Sequence, residues 1–169
     1  MSDTILDLRR AKAVLNLEDE DSVRDQILRE TLLPAVDEII EHFVGWVVKR
    51  DRTLRIAPRQ QGEPVLLPGT RVLAVISATS EAGPIDVAGI TVDDAGIVRP
   101  ASGSSLPLGA WFLTVSSGMD PIPAALQLAA SEVLVTAWEN YQSGEPNAFV
   151  LSYRAEAWLW PYTNGATFA

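Results

Sequence analysis

Between Trp111 and Tyr141 the chain changes its local period once, and abruptly. Trp111 to Val115 reads as a strand, the segment SSGMDPIPAAL breaks it, and an apolar stretch, LQLAASEVLVTAWENY, follows. Pro121 and Pro123 can open a helix but cannot sit inside one, because proline has no amide hydrogen and its ring clashes with the carbonyl four residues back. The strand-to-helix switch is therefore written into these residues, and a long helix is expected over 123–141. Gln127, Ser131, Glu132, Thr136 and Glu139 are its main polar interruptions. A helix apolar almost all round must be covered by its own domain or by neighbouring subunits. Gly144-Glu145-Pro146 ends it.

The first third of the chain reads as helical too. Residues 3–15 carry helix formers with Asp3 or Thr4 as N-cap, and residues 16–21 (NLEDED) are a polar break. Asp21 or Ser22 then caps a second helix, expected from about 23 to 48. Its apolar face is read as Leu28, Leu32, Val36, Ile39, Ile40, Phe43 and Val47, with Glu30, Asp37, Glu38 and Glu41 on the opposite side. Pro34 inside this pattern predicts a kink or split near Leu32 and Leu33.

From Arg52 the period shortens. Residues 53–57 alternate as a half-buried strand, and residues 58–64 (PRQQGEP) form a connection. Residues 72–78 (VLAVISA) are the strongest strand, bounded by Pro68-Gly69 and by residues 81–84 (EAGP). Residues 85–91 and 96–99 read as two strands around the turn DDAG at 93–96, and ASGSS at 101–105 as a flexible loop. Short strands at this spacing predict a small antiparallel sheet or sandwich. A short amphipathic turn over 153–160 and a terminal segment complete the chain. The fold class expected is α+β: three main helices and a short C-terminal one, with an antiparallel β insertion between helices two and three.

At 169 residues the chain fits a single domain with a real core. Domain boundaries are expected at 4–48 and 122–142 for the helical core, 53–116 for the β insertion and 149–169 for a C-terminal arm. No apolar run approaches the roughly 18 residues of a membrane span. The N-terminus, MSDTILDLRR, has acids where a signal peptide needs bases. The chain has no cysteine, which excludes a disulfide framework and thiolate metal sites. The net charge is −9. Such a balance argues against wrapping nucleic acid, whose phosphates are bound mainly by Lys and Arg. It suits a conduit that repels phosphate, and equally a surface made acidic for solubility.

Candidate chemistry is sparse. His42 is the only histidine, so multi-histidine metal sites are excluded and a triad has one possible base; its place among acids reads as a solvated side chain. Residues 18–21 lack the alternating ligands and central glycine of a calcium loop, and acids before a helix suit its dipole. No glycine stretch carries a phosphate-loop lysine, and Gly103-Ser104-Ser105 lacks the second glycine of a nucleophile elbow. The basic clusters, Arg9, Arg10 and Lys12, then Lys49, Arg50 and Arg52, are small; the second reads as compensation of a helix C-terminus. Trp46, Trp111 and Trp138 are expected in the core. Tyr153, Trp158, Leu159, Trp160 and Tyr162 crowd the C-terminal segment, where they either pack back on the domain or insert into a partner.

In order and pattern, these features resemble the head–tail connector (adaptor) proteins of long-tailed bacteriophages. The resemblance rests on the acidic helical start (LNLEDEDSVRDQILRETLLPAVDEIIEHF), Leu67-Pro68 before the first long strand, the DDAG turn, and the proline-rich start of a helix carrying Ala and Trp (IPAALQLAASEVLVTAW). Trp160-Pro161-Tyr162 at the end of a short helix completes it. Where many relatives end the strand before the long helix in a Tyr-Thr-Ala-Gly-like sequence, this chain has Val115-Ser116-Ser117-Gly118 and keeps the glycine.

The resemblance implies a structural, non-enzymatic virion protein without cofactor or metal, made in the host cytoplasm and placed in the neck between capsid and tail. Its implied partners are the portal, the next neck protein (a stopper) or the tail, and further copies of itself in a ring, commonly of twelve. DNA would pass through the ring without sequence-specific binding, and no membrane is involved. Other neck components, a stopper or tail-terminator, are mostly small β-barrels, which the helical first third argues against. A soluble ligand-binding or enzymatic α+β domain is the reading from another class. Two surfaces are expected to matter: the C-terminal aromatics (Tyr153, Trp158, Leu159, Trp160, Tyr162) against the portal or an adjacent subunit, and the acids Glu30, Asp37, Glu38 and Glu41 towards the DNA path.

Overall fold

A computed structural model describes residues 4–18, 20–60, 63–67, 71–144 and 151–163. The chain is α+β, as its periods predict, and divides into two compact units. Residues 1–48 and 121–169 make a helical unit, and residues 49–120 make a β unit inserted between its halves.

The helical unit opens with α1 (Leu8–Val14), capped by Asp7, whose carboxylate accepts the Arg10 amide hydrogen at 2.7 Å. The cap thus falls later than expected: the Thr4 hydroxyl donates to the Leu6 carbonyl instead, and Asp3 lies outside the described residues. A turn through Asn16, at φ +52°, leads to α2 (Ser22–Ile27), and Asp21 caps it by accepting from Arg24 N–H at 3.0 Å. The helix then widens into a π turn at Leu28–Leu32 before continuing as α3 (Leu33–Val44). Leu33 N–H reaches back five residues to the Leu28 carbonyl. Pro34 is the physical cause. It offers no hydrogen to Glu30 and its ring needs room beside that carbonyl, and a π turn provides the room without breaking the helix.

The helix stops at Val44 rather than near 48. Gly45 takes φ +78° and ψ −163°, a region that only glycine enters without strain. The Glu41 carboxylate then accepts the amide hydrogens of Val47 and Val48, both at 2.9 Å. Two buried residues that leave the helix are thereby kept hydrogen-bonded.

The last helices are α4 (Ala124–Ser143) and α5 (Tyr153–Leu159). Pro123 stands at the N-cap of α4 and Gly144, left-handed at φ +68°, at its end, while Glu145 and Pro146 lie outside the described residues. Leu126, Ala129, Ala130, Val133, Leu134 and Ala137 bury one face of α4, which packs on α1, α3 and α5. Polar ties cross the same unit. Lys12, almost fully buried, meets Asp25 Oδ1 at 2.6 Å, and Arg10 Nη1 donates to Gln127 Oε1.

In the β unit, strands β1 (Arg50–Ile56), β3 (Val72–Ser80), β4 (Gly83–Ile85) and β7 (Trp111–Ser117) form an antiparallel sheet in the order β1-β7-β3-β4. On β7 the period of two is clean: Trp111, Leu113, Val115 and Ser117 are buried, and Phe112, Thr114 and Ser116 face outward. β3 departs from it at two β-bulges, between Val72 and Ala74 and between Val75 and Ser77. Each adds one residue without a β7 partner, Leu73 and Ile76, and both are exposed.

A second antiparallel sheet holds β2 (Val65–Leu66), β6 (Ile97–Pro100) and β5 (Ile90–Val92) in that order. The DDAG turn is present as read: Asp93 accepts from Ala95 and Ile97 N–H at 3.1 and 2.8 Å, with Gly96 at φ +78°. The strand expected over 85–91 is broken. Asp86 caps a 3-10 turn at Val87–Gly89 by accepting Ala88 N–H, so the chain changes sheets there. The Pro68-Gly69 boundary lies outside the described residues.

Gly45→Ala is expected to destabilise the protein by about 1–3 kcal/mol, the cost of forcing an L residue into that backbone region. Glu41→Ala should cost about 1.5–3 kcal/mol through two orphaned amides. Urea denaturation of the full chain measures both.

Candidate assembly surfaces

The four acids read as one exposed face separate into two kinds. Glu30 is exposed and accepts from Gln26 Nε2 at 3.1 Å, one turn away, and Glu38 is exposed on α3. Asp37 is a correction: only 3 % of its surface is accessible, and its Oδ1 accepts the buried Ile5 N–H at 2.9 Å. It anchors the N-terminal segment on α3. Glu41 is half-buried and serves the helix end. The π turn explains the misassignment. One extra residue in a turn rotates everything after it by about 100° relative to a continuous α-helix. The buried stripe of α3 is therefore Leu33, Val36, Asp37, Ile40 and Val44, while Phe43, expected inside, is 41 % exposed.

Phe43 borders a shallow groove on α3 of about 360 Å³, lined by Ala35, Glu38, Ile39, His42 and Phe43. His42 is exposed, as its acidic setting suggested, and its ring meets Phe43 edge-on at 5.8 Å. Asp19 lies outside the described residues, and its neighbour Asp21 is a helix cap that also meets Arg24 Nε at 3.2 Å. Gly103 and Ser104 form a turn closed by Ser104 N–H on the Ala101 carbonyl, at 2.9 Å.

The C-terminal aromatics also divide. Ser152 caps α5 by accepting Ala155 N–H at 3.1 Å. Helical spacing then turns Leu151, Ala155 and Leu159 inward against α3 and α4. Leu159 is 1 % exposed, so it belongs to the helical core and offers nothing to a partner. Tyr153 and Trp160 point the other way, 87 % and 77 % exposed. Trp158 is half-buried beneath the Arg154 guanidinium, 5.3 Å from the ring centre, and Arg154 in turn meets Glu132 at 3.4 Å. Tyr162 is half-buried in the closing 3-10 turn, and the arm beyond residue 163 lies outside the described residues. Trp111 and Trp138 are core side chains as expected; Trp46 is half-buried.

The basic residues after helix two are not helix-end charges, because α3 has already stopped. Lys49 pairs with Asp120 at 2.9 Å, and Arg50, Arg52 and Arg55 lie on β1. That strand is the sheet's edge, paired on one side by β7. Sequence periodicity gave no sign of this. An edge becomes visible only once strand order is known.

No protein-family model matches this chain, and no curated protein matches it. Solved structures do share its fold. A chain in the neck of an empty GTA particle, computed with C6 symmetry, superimposes at a TM-score of 0.68 with 19 % identity, over 96 % of this chain and 92 % of that one. A chain in the neck of a native GTA particle, computed with C12 symmetry, gives 0.62 with 19 % identity over 85 % and 82 %. A chain in the virion of the native gene transfer agent particle gives 0.67 with 20 % identity over 94 % and 89 %. The helical unit with its β insertion is thus a fold that occurs, nearly end to end, in these particles.

Tyr153→Ala and Trp160→Ala should each change stability by no more than about 0.5 kcal/mol, as surface positions do. Leu159→Ala should cost about 2–5 kcal/mol. Thermal or urea unfolding separates the two classes.

Proposed function

We propose that this chain is a structural neck protein of a virion, a head-to-tail adaptor. In this reading it forms a ring on the portal, joins the capsid to the tail and lets DNA pass through. The observation that carries the reading is the near full-length fold match to chains in GTA necks, structures computed with C6 and C12 symmetry. The order of sequence features, which resembles the connector proteins, points the same way. Both units act together as one connector domain, with no catalytic step, no cofactor and no metal. The ring has twelve copies; its partners are the portal on one side and a stopper or the tail on the other.

The surfaces take roles within that reading. Tyr153 and Trp160, with the half-buried Trp158 and Tyr162, form the contact to the portal or an adjacent subunit, since large exposed aromatics are the strongest interface anchors. The acids of the helical unit, Glu30 among them, suit a wall past which DNA slides. They repel phosphate over a Debye length of about 8 Å at physiological salt, too short a range to hinder transit.

Full-length protein added to portal-bearing, tailless capsids should appear by electron microscopy as a ring at the portal vertex. Capsids that gain no density at that vertex would refute the adaptor role. The double variant Tyr153→Ala/Trp160→Ala should stay folded by circular dichroism and lose attachment, each truncation removing about 2 kcal/mol or more of contact energy. Normal attachment by that variant would move the anchor elsewhere.

A further inference from the structure

The charge of this chain is unevenly divided. The helical unit carries fifteen acids against six bases, the whole net charge of −9, and the β unit carries seven of each. Within the neutral β unit the bases are concentrated. Lys49, Arg50, Arg52 and Arg55 fall in seven residues with one acid, Asp51, and all but Lys49 lie on the edge strand β1. Arg55 stands directly across from Phe112 in the β1–β7 register, so the two share the outward face of the sheet. Phe112 is 51 % exposed there, a large aromatic left in water beside an exposed guanidinium.

The helical unit carries the complement. The groove on α3 offers Ala35, Ile39 and Phe43 as an apolar seat with Glu38 on its wall. An aromatic anchor flanked by an arginine on one unit matches an apolar groove flanked by a carboxylate on the other. A closed ring needs two different, complementary patches on every subunit, one for each neighbour. We infer that the Phe112–Arg55 row of one copy docks into the Ala35–Ile39–Phe43 groove of the next copy, with Arg55 meeting Glu38. The inference rests on the ring proposed above and names the contact that builds it. It gives Glu38 to the subunit boundary rather than to the DNA path. Charge complementarity favours a second copy over DNA as occupant, because the groove's wall is a carboxylate and Phe112 is an apolar anchor.

The absence of cysteine makes the contact directly testable. Phe43→Cys and Phe112→Cys chains, mixed and assembled on portal-bearing capsids under mild oxidation, should give a two-chain species on a non-reducing gel. Either variant alone should remain a single chain. Adding Glu38→Arg to the Phe43→Cys chain should lower the cross-linked yield roughly tenfold or more, through like charges at the contact. Adding Arg55→Glu to the Phe112→Cys chain should then restore it. Cross-linking by Phe43→Cys alone would mean identical faces meeting, and a chain carrying both cysteines that closes on itself would mean an internal contact; either result overturns the inference. Rings that form without any cross-link overturn it alone and leave the neck reading standing. If the wild-type chain forms no ring, the neck reading itself fails. Loss of binding to a short DNA duplex by Arg55→Glu, with assembly intact, would assign the strip to phosphate and overturn the subunit contact.

Discussion

The pairing of β1 with β7 is what allows this chain to contain two units at all. Seven consecutive pairs run from Arg50 against Ser117 to Ile56 against Trp111, and Lys49 meets Asp120 just beyond them at 2.9 Å. The inserted segment therefore leaves and returns at one place. A unit whose ends are adjacent can be placed in a helix connection without pulling apart the elements on either side. Gly45 and Glu41 prepare the exit, ending α3 and satisfying the amides that follow. Gly118, at φ +126° with its N–H on the Arg71 carbonyl, and the prolines at 121 and 123 prepare the return.

Those prolines, the DDAG turn and Pro34 were legible in the sequence because proline, glycine and aspartate act on the backbone within a few residues of themselves. The placement of side chains around α3 was not. Counting faces from Leu28 at a constant period still sends Val36 and Ile40 inward and Glu38 outward, but past the π turn it puts Asp37 and Phe43 on the wrong sides. Asp37 therefore reads as solvated and Phe43 as core, when Leu33, Val36, Asp37, Ile40 and Val44 make one regular stripe if counting starts at Leu33. The signal was present but needed the origin of the count. Gly45 is itself a helix-stop signal, but the apolar pattern runs on across it to Val47 and masks it. The bulges of β3 and the exposed edge of β1 are set by strand neighbours, which no local pattern records.

The C-terminal aromatic cluster divides between the helical core and the solvent-facing surface. Helical spacing sends Leu159 inward with Leu151 and Ala155, and Tyr153 and Trp160 outward. The segment is thus tied to the helical unit and still presents large aromatic surface to water. Lys12 and Asp25 were equally out of reach of sequence reading. Both look like ordinary surface charges, and only the fold brings the buried Lys12 to within 2.6 Å of the half-buried Asp25.

The confinement of the net charge to one unit has a kinetic side. Two copies approaching through solvent repel where helical unit faces helical unit, and feel almost no net force where a neutral β unit leads. That repulsion acts before any side chains touch, over distances that shrink as salt is added. The distribution of its carboxylates, rather than any contact, thus makes the helical unit the part of the surface whose field responds most to salt.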